Sequence, residues 1–174
     1  ADKAGNAYVA GTQSITFTID STAPTVTLTD TDSDNFLNVS QVVTITAGFS
    51  EAMTSTPTIS ITGIVTNVIM TPVSGTNSYT FTWDTSSGTL SDGTYSAKVS
   101  GTDIIGNSYV VGTQSITFTL DTSAPTVNIT TSDSDNTIKP GDNITVTATF
   151  NEAMATAPRI TIGSAVSNVA LTAT

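Results

Sequence analysis

The chain has 174 residues, with four basic and fourteen acidic side chains, no histidine, no cysteine and a net charge of −10. This charge argues against nucleic-acid binding, which needs a cationic face for the phosphates, and against a polybasic membrane anchor. Catalytic triads and zinc sites that require histidine or cysteine are excluded. No apolar run approaches the ~18 residues of a membrane-spanning segment. We therefore expect no nucleic-acid partner and no membrane insertion in this segment.

One stretch occurs twice and organises the chain. Residues 11–26 read GTQSITFTIDSTAPTV, and residues 112–127 read GTQSITFTLDTSAPTV. Each copy starts with the period-two alternation of a half-buried strand. It then runs into a polar turn and a proline, which has no N–H for a ladder. Gly5 corresponds to Gly106, so the period is 101 residues, close to the ~100 residues of one β-sandwich domain.

The repeat divides the chain into three parts. Residues 1–20 are predicted to be the last strand of a preceding unit, residues 21–121 a complete unit, and residues 122–174 the first part of a following unit. The alternative is that a neighbouring chain completes the terminal parts by donating a strand.

Alternating apolar residues predict the strands of the complete unit. The first strand covers residues 25–29, and an Asp/Asn-rich loop follows because such residues favour turns. Later strands are predicted around residues 43–49, 59–61, 79–83, 95–99 and 116–120. No segment shows the 3.6-residue apolar period of a helix. The predicted fold class is all-β: tandem immunoglobulin-like (Ig-like) β-sandwich domains with about seven strands per unit and essentially no helix.

The aromatic residues of these strands are interpreted mainly as core. Trp83 is predicted to be buried, with a sugar-stacking platform as the alternative reading. The run Asp-Gly-Thr-Tyr at residues 92–95 resembles the tyrosine corner of Ig-type sandwiches. Inward parity on the strands predicts four mostly buried aromatic side chains: Phe49, Phe81, Tyr95 and Phe118.

Three motifs in a fixed order resemble the bacterial Ig-like repeats of very long surface adhesins. They are an Ala-Pro-Thr-Val linker, Phe-(Ser/Asn)-Glu-Ala-Met after the second strand, and Asp-x-x-Gly-Asn before the last strand. The third motif occurs as Asp2, Gly5, Asn6 and as Asp103, Gly106, Asn107. The resemblance covers essentially the whole chain. It implies an extender module of a secreted or cell-surface bacterial protein, often with calcium at its domain junctions.

The acidic loop residues are the candidate calcium ligands, because calcium takes about six to eight hard oxygen ligands. In an Ig sandwich the loops alternate between the two ends of the domain. At the joint after the complete unit we expect Asp32, Asp34, Asn35, Asp92, Asp121 and Glu152 to come together. At the opposite end we expect Asp20, Glu51 and Asp103 to converge. The alternative is that Asp and Asn serve these loops only as turn residues.

The leading hypothesis is a structural spacer in a large repetitive bacterial adhesin, stiffened by calcium and located on the cell surface or secreted. Its expected partners are neighbouring repeats of the same chain; the sequence does not identify a distal adhesive domain or a surface glycan. One alternative is a carbohydrate- or ligand-binding β-sandwich module, which an exposed Trp83 would favour and a buried Trp83 would not. Another is a filament subunit assembled by strand complementation. No enzyme activity is expected, since the acids lie in repeated loops and not in one cleft.

Overall fold

The computed structural model describes residues 1–11 and 14–173. It divides into two compact units, Ala1–Thr122 and Ser123–Thr174. Residues 12, 13 and 174, which fall in the predicted terminal parts 1–20 and 122–174, lie outside the described residues. Within the described residues every regular element is a strand. The all-β prediction is therefore confirmed.

The first unit is an Ig-like sandwich. One sheet has the order β1-β3-β7-β6 and the other the order β2-β9-β8-β4-β5. Neighbouring strands are antiparallel except for β2 and β9, which are parallel. The nine strands are β1 (Val26–Asp30), β2 (Phe36–Leu37), β3 (Val42–Phe49), β4 (Thr58–Ile61), β5 (Val65–Ile69), β6 (Thr71–Pro72), β7 (Ser78–Asp84), β8 (Gly93–Ser100) and β9 (Ile116–Leu120).

The second unit contains two antiparallel pairs, β10–β11 and β12–β13. Val127 lies opposite Phe150, as Val26 lies opposite Phe49 in the first unit. A register shift interrupts both β4–β5 and β12–β13 at corresponding places. The 101-residue repeat is thus also a repeat of strand register. The strands are β10 (Val127–Thr131), β11 (Val146–Phe150), β12 (Arg159–Ile162) and β13 (Val166–Ala170).

Three short or irregular strands were not predicted. β2 has only two residues and directly follows the Asp/Asn-rich loop, so it is too short to show alternation. β5 contains Asn67 with a φ of +52°, at an irregular pairing with β4. β6 contains Pro72, which cannot donate to a ladder and lies on a sheet edge. All three are defined by their neighbours in the sheet and not by a local pattern.

The core of the first unit joins aromatic residues of both sheets. Trp83 on β7 contacts Phe118 on β9 in a T-shaped pair with ring centroids 5.8 Å apart, a favoured geometry for aromatic rings. Phe118 is 0 % exposed and Phe49 is 6 % exposed, as predicted. Phe81 and Tyr95 are only half-buried and pack against the core from its edge. Trp83 is 4 % exposed, so its assignment to the core is confirmed.

Tyr95 forms the corner that the sequence predicts. Its hydroxyl donates a hydrogen bond to the carbonyl oxygen of Ser91 at 2.7 Å. The side chain therefore ties the loop before β8 to the beginning of that strand.

The predicted strand in residues 1–20 does not pair with any strand among the described residues. Residues 14–20 have no assigned strand, and Ile15, Phe17 and Ile19 are all more than 80 % exposed. The almost identical segment of β9 lies between β8 and β2, and its Phe118 and Leu120 are buried. Since a strand is stabilised by ladder partners and a covered apolar face, the same sequence has different structures in these two places.

Phe17 and Phe118 occupy corresponding positions of the repeat, which provides a matched pair of variants. We expect Phe118→Ala to lower the free energy of unfolding by about 3–5 kcal/mol, because it leaves a cavity beside Trp83. Phe17→Ala should change it by less than about 0.5 kcal/mol, because that ring is exposed. Urea unfolding followed by tryptophan fluorescence measures both. Equal losses for the two variants would contradict the assignment of β9 to the core.

Candidate metal centre

The Asp-x-x-Gly-Asn motif after β8 forms a turn around a single carboxylate. Oδ1 of Asp103 accepts hydrogen bonds from the backbone N–H groups of Ile105, Gly106 and Asn107, at 2.9, 2.6 and 2.8 Å. Oδ2 accepts one from the Asn107 side-chain amide at 2.8 Å. Gly106 has a φ of +113°, which favours glycine. The buried charge of Asp103 is therefore compensated by the turn itself.

The first copy of the motif forms the same turn in the open. Oδ1 of Asp2 accepts hydrogen bonds from the N–H groups of Ala4 and Asn6, both at 2.9 Å. The Asn6 side-chain amide donates to Oδ2 at 2.9 Å. Asp2 is exposed whereas Asp103 is completely buried. The motif thus specifies its turn locally, whatever packs around it.

Two further carboxylates join Asp103 at the N-terminal end of the first unit. Glu51 follows β3, and Asp20 lies in the linker segment before β1. One oxygen from each of Asp20, Glu51 and Asp103 lies within 4.8 Å of the other two. The Asn107 side-chain amide also reaches the Asp20 carbonyl at 3.4 Å, so the turn contacts the linker directly. The structure brings together the residues expected to converge here.

The three neighbouring carboxylates repel one another at this end of the unit. Burial raises the pKa of Glu51 above its ordinary value of 4.5, and the charges of Asp103 and Asp20 raise it further. Burial also raises the pKa of Asp103, but the hydrogen bonds from Asn107, Gly106 and Ile105 together outweigh burial and hold that pKa below 3.8. The turn therefore compensates the charge of Asp103, whereas the surroundings of Glu51 disfavour its charge.

This geometry fits a hard divalent cation. Calcium binds oxygen ligands at about 2.3–2.6 Å, so two ligands of one ion lie at most about 5 Å apart. The three oxygens all lie within 4.8 Å of one another, close enough to share one ion. Oδ2 of Asp103 accepts a hydrogen bond from the Asn107 side-chain amide, and a carboxylate oxygen can accept more than one such contact. Among the residues that the structure describes, this is the one group of three such side chains with ligand atoms so close.

The acids of the loop between β1 and β2 stabilise that loop. Oδ1 of Asp32 accepts hydrogen bonds from the N–H groups of Asp34 and Asn35, at 3.1 and 2.6 Å. Oδ1 of Asp34 accepts one from the N–H of Phe36 at 3.0 Å. Asn35 has a φ of +62°, a conformation that asparagine tolerates better than most residues. These contacts are those of turn-forming residues.

The other acids predicted at the C-terminal joint have separate environments. Oδ1 of Asp92 accepts hydrogen bonds from both the N–H and the hydroxyl of Thr122. The N–H of Asp121 donates to the carbonyl of Leu37 at 2.9 Å. Glu152 lies in the second unit, where its Oε1 is enclosed without a hydrogen-bond partner among the described residues. Calcium binding by this second set stays a prediction.

Sequence reasoning missed two residues that organise the C-terminal end. Gln41 donates from its side-chain amide to Oδ2 of Asp32 at 3.2 Å and accepts from the N–H of Asn38 at 2.6 Å. Thr122 donates twice to Asp92, which is 30 residues away. The side-chain partners of Gln41 are only three and nine residues away, whereas the partner of Thr122 is brought to it by the packing of the strands. The hydroxyl that both linker copies carry, as Ser21 and Thr122, is the only hint in the sequence.

The raised pKa of Glu51 predicts a pH effect of definite sign. Because the folded state favours the protonated acid, the contribution of Glu51 to stability is lost as the pH rises from the unfolded pKa near 4.5 through the higher folded pKa. In chelator at neutral pH, Glu51→Gln should therefore raise the melting temperature and flatten its fall above pH 4.5. Thermal melts between pH 4 and 8 measure this. A lower melting temperature for the variant in chelator would contradict the repulsion.

Comparison with known proteins assigns the chain to a family. Among curated proteins no match is found. In the described residues there is no helix long and apolar enough to cross a membrane. The family model described as bacterial Ig-like domain (group 3) matches residues 77–174, more than half of the chain. Domains of this kind are typically non-enzymatic and commonly extracellular or surface-exposed. With its Ig-like sandwich and this match, the chain belongs to the bacterial Ig-like domain family, group 3.

Proposed function

We propose that this chain is a structural spacer in a large repetitive bacterial surface adhesin. One observation carries the proposal: the segment that leads into β1 and the segment that follows β9 lie at opposite ends of the sandwich. β8 begins at Gly93, next to the Asp92 that binds Thr122, and ends three residues before Asp103, which adjoins Asp20. Its eight residues separate the two ends by roughly 26 Å, at 3.3 Å per residue.

The linkers and the repeat support this role. Both copies of the linker are short and contain a proline, Pro24 or Pro125, whose fixed φ limits bending. A spacer needs no catalytic cleft and no large ligand pocket. The expected partners are neighbouring repeats of the same chain, and the expected location is the bacterial surface or the secreted fraction.

We also propose that calcium stiffens the spacer at the Asp20–Glu51–Asp103 group. The support is the close approach of three hard oxygen ligands and the raised pKa of Glu51, which a divalent cation would lower again. Asp20 belongs to the linker, whereas Glu51 and Asp103 follow strands of the sandwich. A shared ion would therefore fasten the linker to the unit. The chemistry that it supplies is charge neutralisation only.

Calcium should raise stability and reduce bending. An ion that binds only the folded state at a hundredfold excess over its dissociation constant adds about 2.7 kcal/mol to the free energy of unfolding. We expect a higher melting temperature, greater protease resistance and a more extended small-angle scattering profile in millimolar calcium than in EDTA. The double variant Asp20→Asn, Glu51→Gln should lose the melting response, and Asp84→Asn, away from the group, should keep it. Identical wild-type curves in calcium and EDTA would leave a spacer stiffened by proline alone.

The ligand-binding alternative loses its main support. Trp83 is 4 % exposed and contacts Phe118, so it is not accessible as a sugar-stacking platform. The ring lies inside the sandwich, where stacking on a sugar would require unfolding of β7.

A specific observation favours a second candidate function, a filament subunit assembled by strand complementation. Ile15, Phe17 and Ile19 form an exposed apolar row in a segment with nearly the sequence of β9. Such a row is a ready strand donor for another copy. If it acts in this way, sedimentation velocity should show concentration-dependent association that Phe17→Asp abolishes and Phe36→Asp does not. A monomer at all concentrations would exclude this function for the chain.

A further inference from the structure

We propose that Asp92 is a positioning residue that fastens the first residue of the linker, Thr122, to the first unit without a metal ion. Oδ1 of Asp92 accepts a hydrogen bond from the Thr122 N–H at 2.7 Å and another from the Thr122 hydroxyl at 2.5 Å. Hydrogen bonds to an ionised acceptor are the stronger kind. The two residues are 30 positions apart, so this contact is tertiary and not part of a local turn.

The contact between Asp92 and Thr122 continues the hydrogen bonding of β9 into the linker. β9 ends at Leu120, which lies opposite Gly93 of β8. The Asp121 N–H then donates to the Leu37 carbonyl at 2.9 Å, and Thr122 donates to Asp92. Two residues beyond the strand are therefore still bonded to the body of the unit.

The loop that presents Asp92 is itself fixed on both sides. On one side the Tyr95 hydroxyl donates to the Ser91 carbonyl at 2.7 Å. On the other side Gly93 is the first residue of β8, with a φ of +153° that side-chain-bearing residues rarely adopt. An acceptor on a rigid loop restricts its donor in direction as well as distance. This distinguishes a positioning contact from an occasional surface hydrogen bond.

The repeat retains the donor at the corresponding position of the other linker. Ser21 corresponds to Thr122, and a serine hydroxyl donates as a threonine hydroxyl does. This inference rests on the proposed spacer, for which the direction of the leaving chain sets the path to the next unit. It also gives Asp92 a role different from the calcium ligand that the sequence predicts.

A spin label in the linker tests the proposal in the whole chain. The protein has no cysteine, so Ala124→Cys, two residues beyond Thr122, gives a single labelling site. In EDTA, Asp92→Ala should shorten the rotational correlation time of the label, whereas Asp92→Asn should restore the wild-type value because its amide oxygen still accepts. Asp84→Ala is the matched control, since Oδ1 of Asp84 accepts the same two kinds of bond from Ser86, away from the linker.

A second variant guards against misfolding of Asp92→Ala. Thr122→Val keeps the N–H and the shape but loses the hydroxyl, so the label should move at an intermediate rate. Unchanged mobility in Asp92→Ala and Thr122→Val would overturn the proposal. So would an effect that occurs only in calcium, because Asp92 would then act as a metal ligand. Neither result would affect the spacer itself, which is tested separately: a compact small-angle scattering profile of the whole chain in both calcium and EDTA would contradict the spacer.

Discussion

The buried carboxylate of Asp103 is the constraint on which the N-terminal end of the first unit depends. A charge removed from water must be compensated by hydrogen bonds or by an opposite charge. Here four hydrogen bonds from its own turn compensate it. The turn then positions two neighbouring segments. Asp103 forms an antiparallel β-bridge with Met53, which follows β3, and the Asn107 side-chain amide donates a hydrogen bond to the Asp20 carbonyl. Without this turn, the linker and the end of β3 would lose their common support.

The two ends of the first unit use acidic residues differently. At the N-terminal end, Glu51 lies beside Asp20 and Asp103 and its pKa is raised. At the C-terminal end, the carboxylates of Asp32 and Asp92 accept hydrogen bonds from nearby N–H and hydroxyl groups. In the described part of the chain, only at the N-terminal end does a third carboxylate, that of Glu51, lie beside two others with a raised pKa. A bound cation would relieve that repulsion.

The repeat separates local from tertiary effects, because it places equivalent residues in different surroundings. Asp2 and Asp103 form the same hydrogen-bonded turn although one is exposed and the other buried. Phe17 and Phe118 have nearly the same sequence around them, yet one is 82 % exposed and the other 0 %. A turn closed by its own side chain forms without help, whereas a strand requires partners.

By itself, the sequence determined the all-β class, the 101-residue period, the main strands and the turn at Asp103, because alternation and turn chemistry act between near neighbours. It also placed Asp20, Glu51 and Asp103 at one end, through the alternation of loops in a sandwich. The tertiary structure alone decided the short strand β2, the half-burial of Phe81 and Tyr95, and the contact between Asp92 and Thr122. These depend on how the two sheets pack and on atoms 30 or more residues apart, which no local pattern records.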